Sequence, residues 1–293
     1  MRKIKTDRHL NAEELCQTRV SWLPPERDFL QKSNIMILAP DDYQEDPDKY
    51  DIKFSNGEFC FFGDRIINGD EVPFEVDWAA RQLVTSTERI SVAPKMLKYM
   101  TKYRFGTLLI FMSPNGPVLT VVIFRKGGSG VRQQLRDLDR DTSSHVVATA
   151  TESGNIDSVV WEFALEQLAI RTKTVRGVTN HASKWKNAVA LYVDNHASHL
   201  NERIARMAFE KWGIVIRPLI KNSSNIMQAV DQNYGVLYKE TFKRLMNAVD
   251  SSIRIVSGIS EEVTCSKPEW RALCIRFISQ IVNAVCPFIS PSI

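Results

Sequence analysis

Three aspartates stand where carboxylates can do chemistry. Asp70 ends an extended stretch that begins near Phe61, Asp194 closes the apolar run 188–193, and Asp231 opens a helical pattern running past Phe242. A carboxylate at the carboxyl end of a strand faces the crevice in which open α/β sheets hold their ligands. Three converging aspartates cannot all ionise in a dry site without a compensating cation. Mg²⁺, or Mn²⁺ in its place, is a hard ion suited to such oxygen ligands. Two ions roughly 3.5–4 Å apart can activate a water or a 3′-hydroxyl and stabilise the leaving oxygen of a phosphodiester. Plainer roles exist for two of the three. Asp70 could be a turn carboxylate with Glu71 as the ligand, and Asp231 could only cap its helix, where a negative charge favours the N-terminal dipole.

The cations are unevenly spread. The chain of 293 residues has a formal net charge of +4, but residues 1–60 hold 9 basic and 12 acidic side chains, so the excess lies downstream. From Ser91 to Arg136 there is no Asp or Glu, while Lys95, Lys98, Lys102 and Arg104 lead a series of eight cations. A second acid-free stretch, Gln167–Val193, contains Lys184-Trp185-Lys186. Clustered cations release counterions from phosphates, and an aromatic between two lysines suits base stacking with phosphate contact. These seven residues are the candidate nucleic-acid contacts, against the alternative of solvated lysines around a core Trp. His196 and His199 lie three apart without further ligands at zinc spacing. His199 is instead expected to pack or hydrogen-bond near a strand-to-helix turn.

The elements that must position these residues follow from periodicity. Residues 1–60 contain Pro24-Pro25 and an acidic Pro-flanked run, which predict short helices and loops. Two β-branched runs, Gly106–Met112 and Val118–Arg125, joined by Ser113-Pro-Asn-Gly-Pro117, predict a hairpin. Residues 127–154 read as a polar loop or insertion. A helix is expected over Ile156–Ile170 with Asp157 near its start, then the strand before Asp194, then a helix over 199–212 capped by Ser198 and stopped by Gly213. A strand at Ile214–Ile220, a helix through Asp231 and an amphipathic helix over Pro268–Val285 complete the chain. The last has Trp270, Leu273, Phe277, Ile278 and Ile281 on its apolar side. This alternation predicts an α/β protein with a mixed sheet flanked by helices, the order of a ribonuclease-H-like domain.

At the three aspartates the sequence resembles the DDE superfamily endonuclease domain, in its pogo/jerky-like (mariner-type) transposase branch. Asn68-Gly-Asp70-Glu71-Val-Pro-Phe74 is similar to the first motif of that family, and Leu191-Tyr-Val-Asp194-Asn195-His196-Ala-Ser-His199 to the second. Asn222-Ser-Ser-Asn-Ile-Met-Gln228-Ala-Val-Asp231, with Lys239 beyond, resembles the third, although the family's Pro-Leu before this aspartate is Ala229-Val230 here. The likeness spans about 61–248.

The resemblance implies a ribonuclease-H-like fold and metal-dependent DNA cleavage with strand transfer. Asp70, Asp194 and Asp231 would be the catalytic, metal-binding triad. Asn195 would support the second aspartate by a hydrogen bond, Gln228 would do likewise near the third, and Glu71 would assist. It divides the chain into a short N-terminal segment, 1–60, as the remnant of a helix-turn-helix region, a DDE domain, 61–250, and a C-terminal helical extension, 251–293. Family members carry two helix-turn-helix units before the catalytic domain, needing more residues than precede Asp70 here. A catalytically inactive, domesticated DNA-binding or regulatory protein and a truncated transposase remnant are therefore the alternatives.

The longest apolar runs are far below the roughly 18–20 residues of a spanning helix, and the N-terminal residues lack a signal-peptide pattern. Five cysteines without CxxC spacing read as reduced thiols. The expectation is an intracellular, nuclear protein that binds DNA, allows a homodimer and does not engage a membrane.

Overall fold

The computed structural model describes residues 12–35, 39, 41–46, 48, 52–55, 58–61, 63–76, 103–125, 129–139, 145–172, 188–223, 227–230, 234–242, 244–245 and 267–285. The chain is mixed α/β, with a six-stranded mixed sheet flanked by helices, an arrangement compatible with a ribonuclease-H-like fold.

Helix α1 (Ala12–Lys32) leads to a two-stranded antiparallel ribbon of β1 (Ile52–Ser55) and β2 (Glu58–Phe61). The main sheet is built from β3 (Ile66–Val76), β4 (Tyr103–Ser113), β5 (Gly116–Arg125), β6 (Val146–Thr151), β7 (Val189–Val193) and β8 (Ile214–Pro218), in the order β6-β5-β4-β3-β7-β8. Strands β3, β4 and β5 pair antiparallel; β6 joins β5 in parallel, and β7 and β8 run parallel to β3. Helices α2 (Ser129–Asp139), α3 (Ser158–Thr172) and α4 (Glu202–Trp212) connect them, α5 (Lys267–Val285) comes last, and further helical turns lie at 235–242.

Both faces of the sheet are covered, which is why β4 and β5 are apolar at nearly every position rather than at alternate ones. Leu109 and Phe111 point into a cluster with Trp161, Leu165 and Leu168 of α3 and Ile204 and Ala208 of α4. Leu108, Ile110 and Met112 point the other way, onto Val230, Tyr238, Phe242 and, from α5, Cys274, Ile275, Phe277 and Ile278. The core of α5 is thus continuous with that of the sheet. Helix α1 is tied in as well: Leu30 and Ile35 join the first cluster, and Glu26 pairs with Arg217 of β8, whose guanidinium lies over the Tyr192 ring.

The hairpin forms as expected, with Ser113 opposite Gly116 around Pro114-Asn115. Asp157 starts α3, its carboxylate accepting the Val160 N–H at 2.8 Å. Four expectations need correction. Pro24-Pro25 lies inside α1 rather than breaking it; each proline removes one hydrogen bond and strains one turn, and the buried Glu26 and Leu30 beyond it hold the following turn in place. Residues 127–154 are not simply a loop. Val131, Leu135 and Leu138 give α2 an apolar stripe at helical spacing, and β6 extends the sheet. The cap of α4 is Asn201, which accepts the Ile204 N–H at 3.2 Å, not Ser198. The turn 196–200 is used to bury His199, which delays the helix; Gly213 ends it in the left-handed region at φ 65°.

The fourth correction concerns Asp70, which lies inside β3 rather than at its end. Along β3, strand β7 pairs with Ile66, Ile67 and Asn68, whereas β4 follows β3 as far as Val76. Asp70 therefore sits just past the point where the β3–β7 ladder stops.

Candidate metal centre

Sequence and register together decide where each acidic side chain points. Successive strand residues face opposite sides of a sheet. Asp70 is paired with Ile110 and so faces the α5 side with Val72; Glu71 is paired with Leu109 and faces the α3/α4 side. Asp70 is buried, at 8% exposure. Gly69 between it and Asn68 is there for space. A Cβ at this position would meet the Phe111 ring at 3.0 Å and Leu191 at 3.3 Å, so a side chain here would force both neighbours to give by a few tenths of an ångström.

Asn68 ties three segments together. Its amide nitrogen donates to the Tyr192 carbonyl at 3.3 Å, and its oxygen accepts the Val230 N–H at 3.5 Å. Tyr192 is two residues before Asp194, and Val230 immediately precedes Asp231. Asn68 is also the partner of Tyr192 in the parallel ladder. Asp70 and Asp194 each lie two residues beyond that pair, Asp70 within β3 and Asp194 just past the end of β7. Asp231 itself lies outside the described residues.

Asp194 stands just beyond β7, where no ladder hydrogen bond constrains it. Its Oδ1 accepts the His196 backbone N–H at 3.1 Å and the His199 Nδ1–H at 2.6 Å. His199, 3% exposed, donates its other ring nitrogen to Glu71 Oε1 at 3.0 Å and lies against Trp161, ring centroids 4.8 Å apart. A neutral imidazole carries one N–H; two carboxylates facing its two nitrogens require both. Burial alone would favour the neutral ring, but the hydrogen bonds and charges of Asp194 and Glu71 outweigh it and raise the His199 pKa to about 9. Burial likewise pushes the Asp194 carboxyl up, yet His199 and the His196 N–H bring it below its ordinary value.

The other candidates are placed as follows. The Asn195 amide was expected to support Asp194; it donates instead to the Leu219 carbonyl at 2.5 Å, fastening the end of β7 to the end of β8. Gln228 is buried at 1% exposure. Lys95, Lys98, Lys102, Lys184, Trp185 and Lys186 lie outside the described residues, and of Arg104 only the backbone is described, opposite Glu75 in the β3–β4 ladder. Among the described residues, no group of three or more His, Cys, Asp and Glu is arranged to hold a metal, and no helix is long and apolar enough to cross a membrane. Asp70 and Asp194 fit a hard divalent ion by donor type, as two of the three oxygen donors the sequence offers.

Sequence reasoning did not find two contributions. In the sequence Asn68 stands out only as part of a motif, and its bridging role depends on a β3–β7 pairing that residue types do not reveal. The link from His199 to Glu71 spans 128 residues, and its only local signal is a histidine just after an apolar strand. The chain matches no family model, no curated protein and no solved structure.

Proposed function

We propose that the chain is a DNA-binding, transposase-derived endonuclease of the DDE type, cleaving and transferring DNA strands by phosphoryl transfer and acting in the nucleus. The observation that carries this reading is the Asn68 amide. It joins the strand of Asp70, the strand before Asp194 and the residue before Asp231 through two hydrogen bonds and one ladder pair. An asparagine bridging those three segments supports the convergence of three carboxylates beyond the carboxyl end of β7, where open α/β sheets take ligands.

In this reading Asp70, Asp194 and Asp231 would hold two Mg²⁺ or Mn²⁺ ions, which would supply activation of a water or 3′-hydroxyl and stabilisation of the leaving 3′-oxygen. Asp70 presents its carboxylate from the rigid middle of β3, whose buried neighbours on β4 restrict its movement. Asn195 keeps the carboxyl ends of β7 and β8 together, so that the Asp194 turn is not free to open. The DNA contacts are assigned to Lys95, Lys98, Lys102, Arg104, Lys184, Trp185 and Lys186, with two copies of the chain acting on one substrate as a homodimer.

The test is nicking of supercoiled plasmid by the full chain with Mg²⁺ or Mn²⁺. Asp70→Asn, Asp194→Asn and Asp231→Asn should each lower the rate by about 100-fold or more, since a metal ligand matters at least as much as the groups that orient it. Cleavage that survives EDTA, or is unchanged in Asp194→Asn, refutes the centre.

One observation favours a second reading, a domesticated protein that keeps the fold and binds DNA without cutting it. The imidazolium of His199 already offsets the charges of Asp194 and Glu71, so these two carboxylates need no metal for the chain to fold. That reading expects salt-sensitive DNA affinity, weakened by Lys184→Ala with Lys186→Ala, and no cleavage under any metal.

A further inference from the structure

We propose that His199 and Glu71 are positioning residues for Asp194, forming a carboxylate–imidazole–carboxylate chain that sets the orientation of the second aspartate from the face of the sheet opposite Asp70. The inference rests on the metal-centre reading and assigns Glu71 a place in it that is not ligation. Glu71 follows Asp70 in sequence but points to the α3/α4 side, and its Oε1 is engaged by His199 at 3.0 Å.

The need for such a chain follows from where Asp194 stands. Beyond the last residue of β7 the backbone ladder no longer fixes the side chain, and a carboxylate free to rotate would lose entropy on every binding event. Two donors on one oxygen remove that freedom: the His196 N–H and the His199 Nδ1–H both bind Oδ1. The half-exposed carboxylate is thereby held with its second oxygen available. The donor must itself be fixed. His199 is buried, its ring lies on Trp161, which is fully buried in α3, and its Nε2–H is anchored on Glu71. Removing outer partners of metal-binding carboxylates weakens metal affinity by about 10–100-fold.

A competing effect has the opposite sign. The imidazolium is a positive charge next to a cation site, and deleting it by itself would strengthen the attraction for Mn²⁺. Geometry and charge therefore predict different outcomes for the same substitution, and the two amide replacements separate them. Asparagine at 199 places an amide N–H near the Nδ1 position, within reach of Asp194 but not of Glu71. Glutamine reaches toward the Nε2 position and Glu71 and gives up the bond to Asp194. Both remove the charge.

The experiment is Mn²⁺ titration of the full chain, followed by the electron paramagnetic resonance signal of the free ion, with urea unfolding on each variant. Positioning predicts that His199→Asn keeps Mn²⁺ affinity within about 3-fold, whereas His199→Gln loses about 10–100-fold, as for other outer partners of metal ligands. Glu71→Gln should lose less, about 3–10-fold, and add nothing in the His199→Gln background, because it acts through the ring. Should His199→Gln unfold, Glu71→Gln carries the same test at a position one-third exposed. Equal losses in His199→Asn and His199→Gln, additive losses, or tighter Mn²⁺ binding in either would overturn the proposal. Identical Mn²⁺ binding by wild type and Asp194→Asn would instead refute the metal centre itself.

Discussion

Replacing Glu26 with alanine tests how α1 is held to the sheet. The Glu26 carboxylate is 2% exposed and meets Arg217 of β8, whose guanidinium also lies over the Tyr192 ring at 5.2 Å. Removing one partner of a buried ion pair costs about 3–5 kcal/mol, because the remaining charge stays desolvated. The Arg217 side chain retains 17% exposure, and the water that reaches it screens part of that loss. The lower end, about 3 kcal/mol, is therefore expected for Glu26→Ala, a large share of a total stability of about 5–15 kcal/mol. For domains of this size it corresponds to a drop of roughly 6–12 °C in Tm. Urea unfolding followed by circular dichroism, with unchanged m, gives the number directly. Glu26→Leu with Arg217→Met should restore stability to about the wild-type value or above, as apolar replacements of buried pairs do. Asp28→Ala is the control: its pair with Lys32 lies on the exposed side of the same helix and should not shift the midpoint. A loss below about 1 kcal/mol in Glu26→Ala, within the range of an exposed pair, would refute the claim that this contact anchors α1.

The His199 pKa gives a pH signature. It is raised from 6.5 to about 9 on folding, so its contribution is complete below pH 6.5 and is lost as pH rises through about 9. That contribution is on the order of 3 kcal/mol, and urea midpoints between pH 6 and 9.5 should fall in wild type and stay flatter in His199→Asn. The Asp194 carboxyl is lowered, so its contribution is present above the ordinary carboxylate range and disappears as pH falls through its folded value; Asp194→Asn should remove that acid limb. Gly69→Ala should destabilise by about 1–3 kcal/mol, the range for an overpacked core, because the new methyl meets the Phe111 ring and Leu191; a neutral Tm would contradict the packing. Gly213→Ala, at φ 65°, should cost about 1–2 kcal/mol for the left-handed conformation.

The hairpin, the strand before Asp194, α3, α4 and α5 were legible because each is written locally, as apolar period or as turn and cap residues. The misread parts turn on pairing over distance. Polar residues between Gly127 and Gly154 concealed α2 and β6, since α2 needs only the Val131, Leu135 and Leu138 stripe to bind the sheet. Pro24-Pro25 carries a real local cost, but the Arg217 partner that stabilises α1 lies 191 residues away. At the site, the types and order of Asp70 and Asp194 were readable. Which of Asp70 and Glu71 faces which side was not, because a strand's register is set by its neighbours and a one-residue shift exchanges its faces.

The Asn68 bridge also sets a timetable. Its two partners are 124 and 162 residues further along the chain, and contacts of such long separation form late because large loops must close before they are rewarded. During synthesis β3, β4 and β5 can zip together as neighbours long before Tyr192 or Val230 has been made. A nascent chain would carry Asp70 on a finished meander with its side of β3 still open, and Asn68 could close its bridge only once Val230 had emerged.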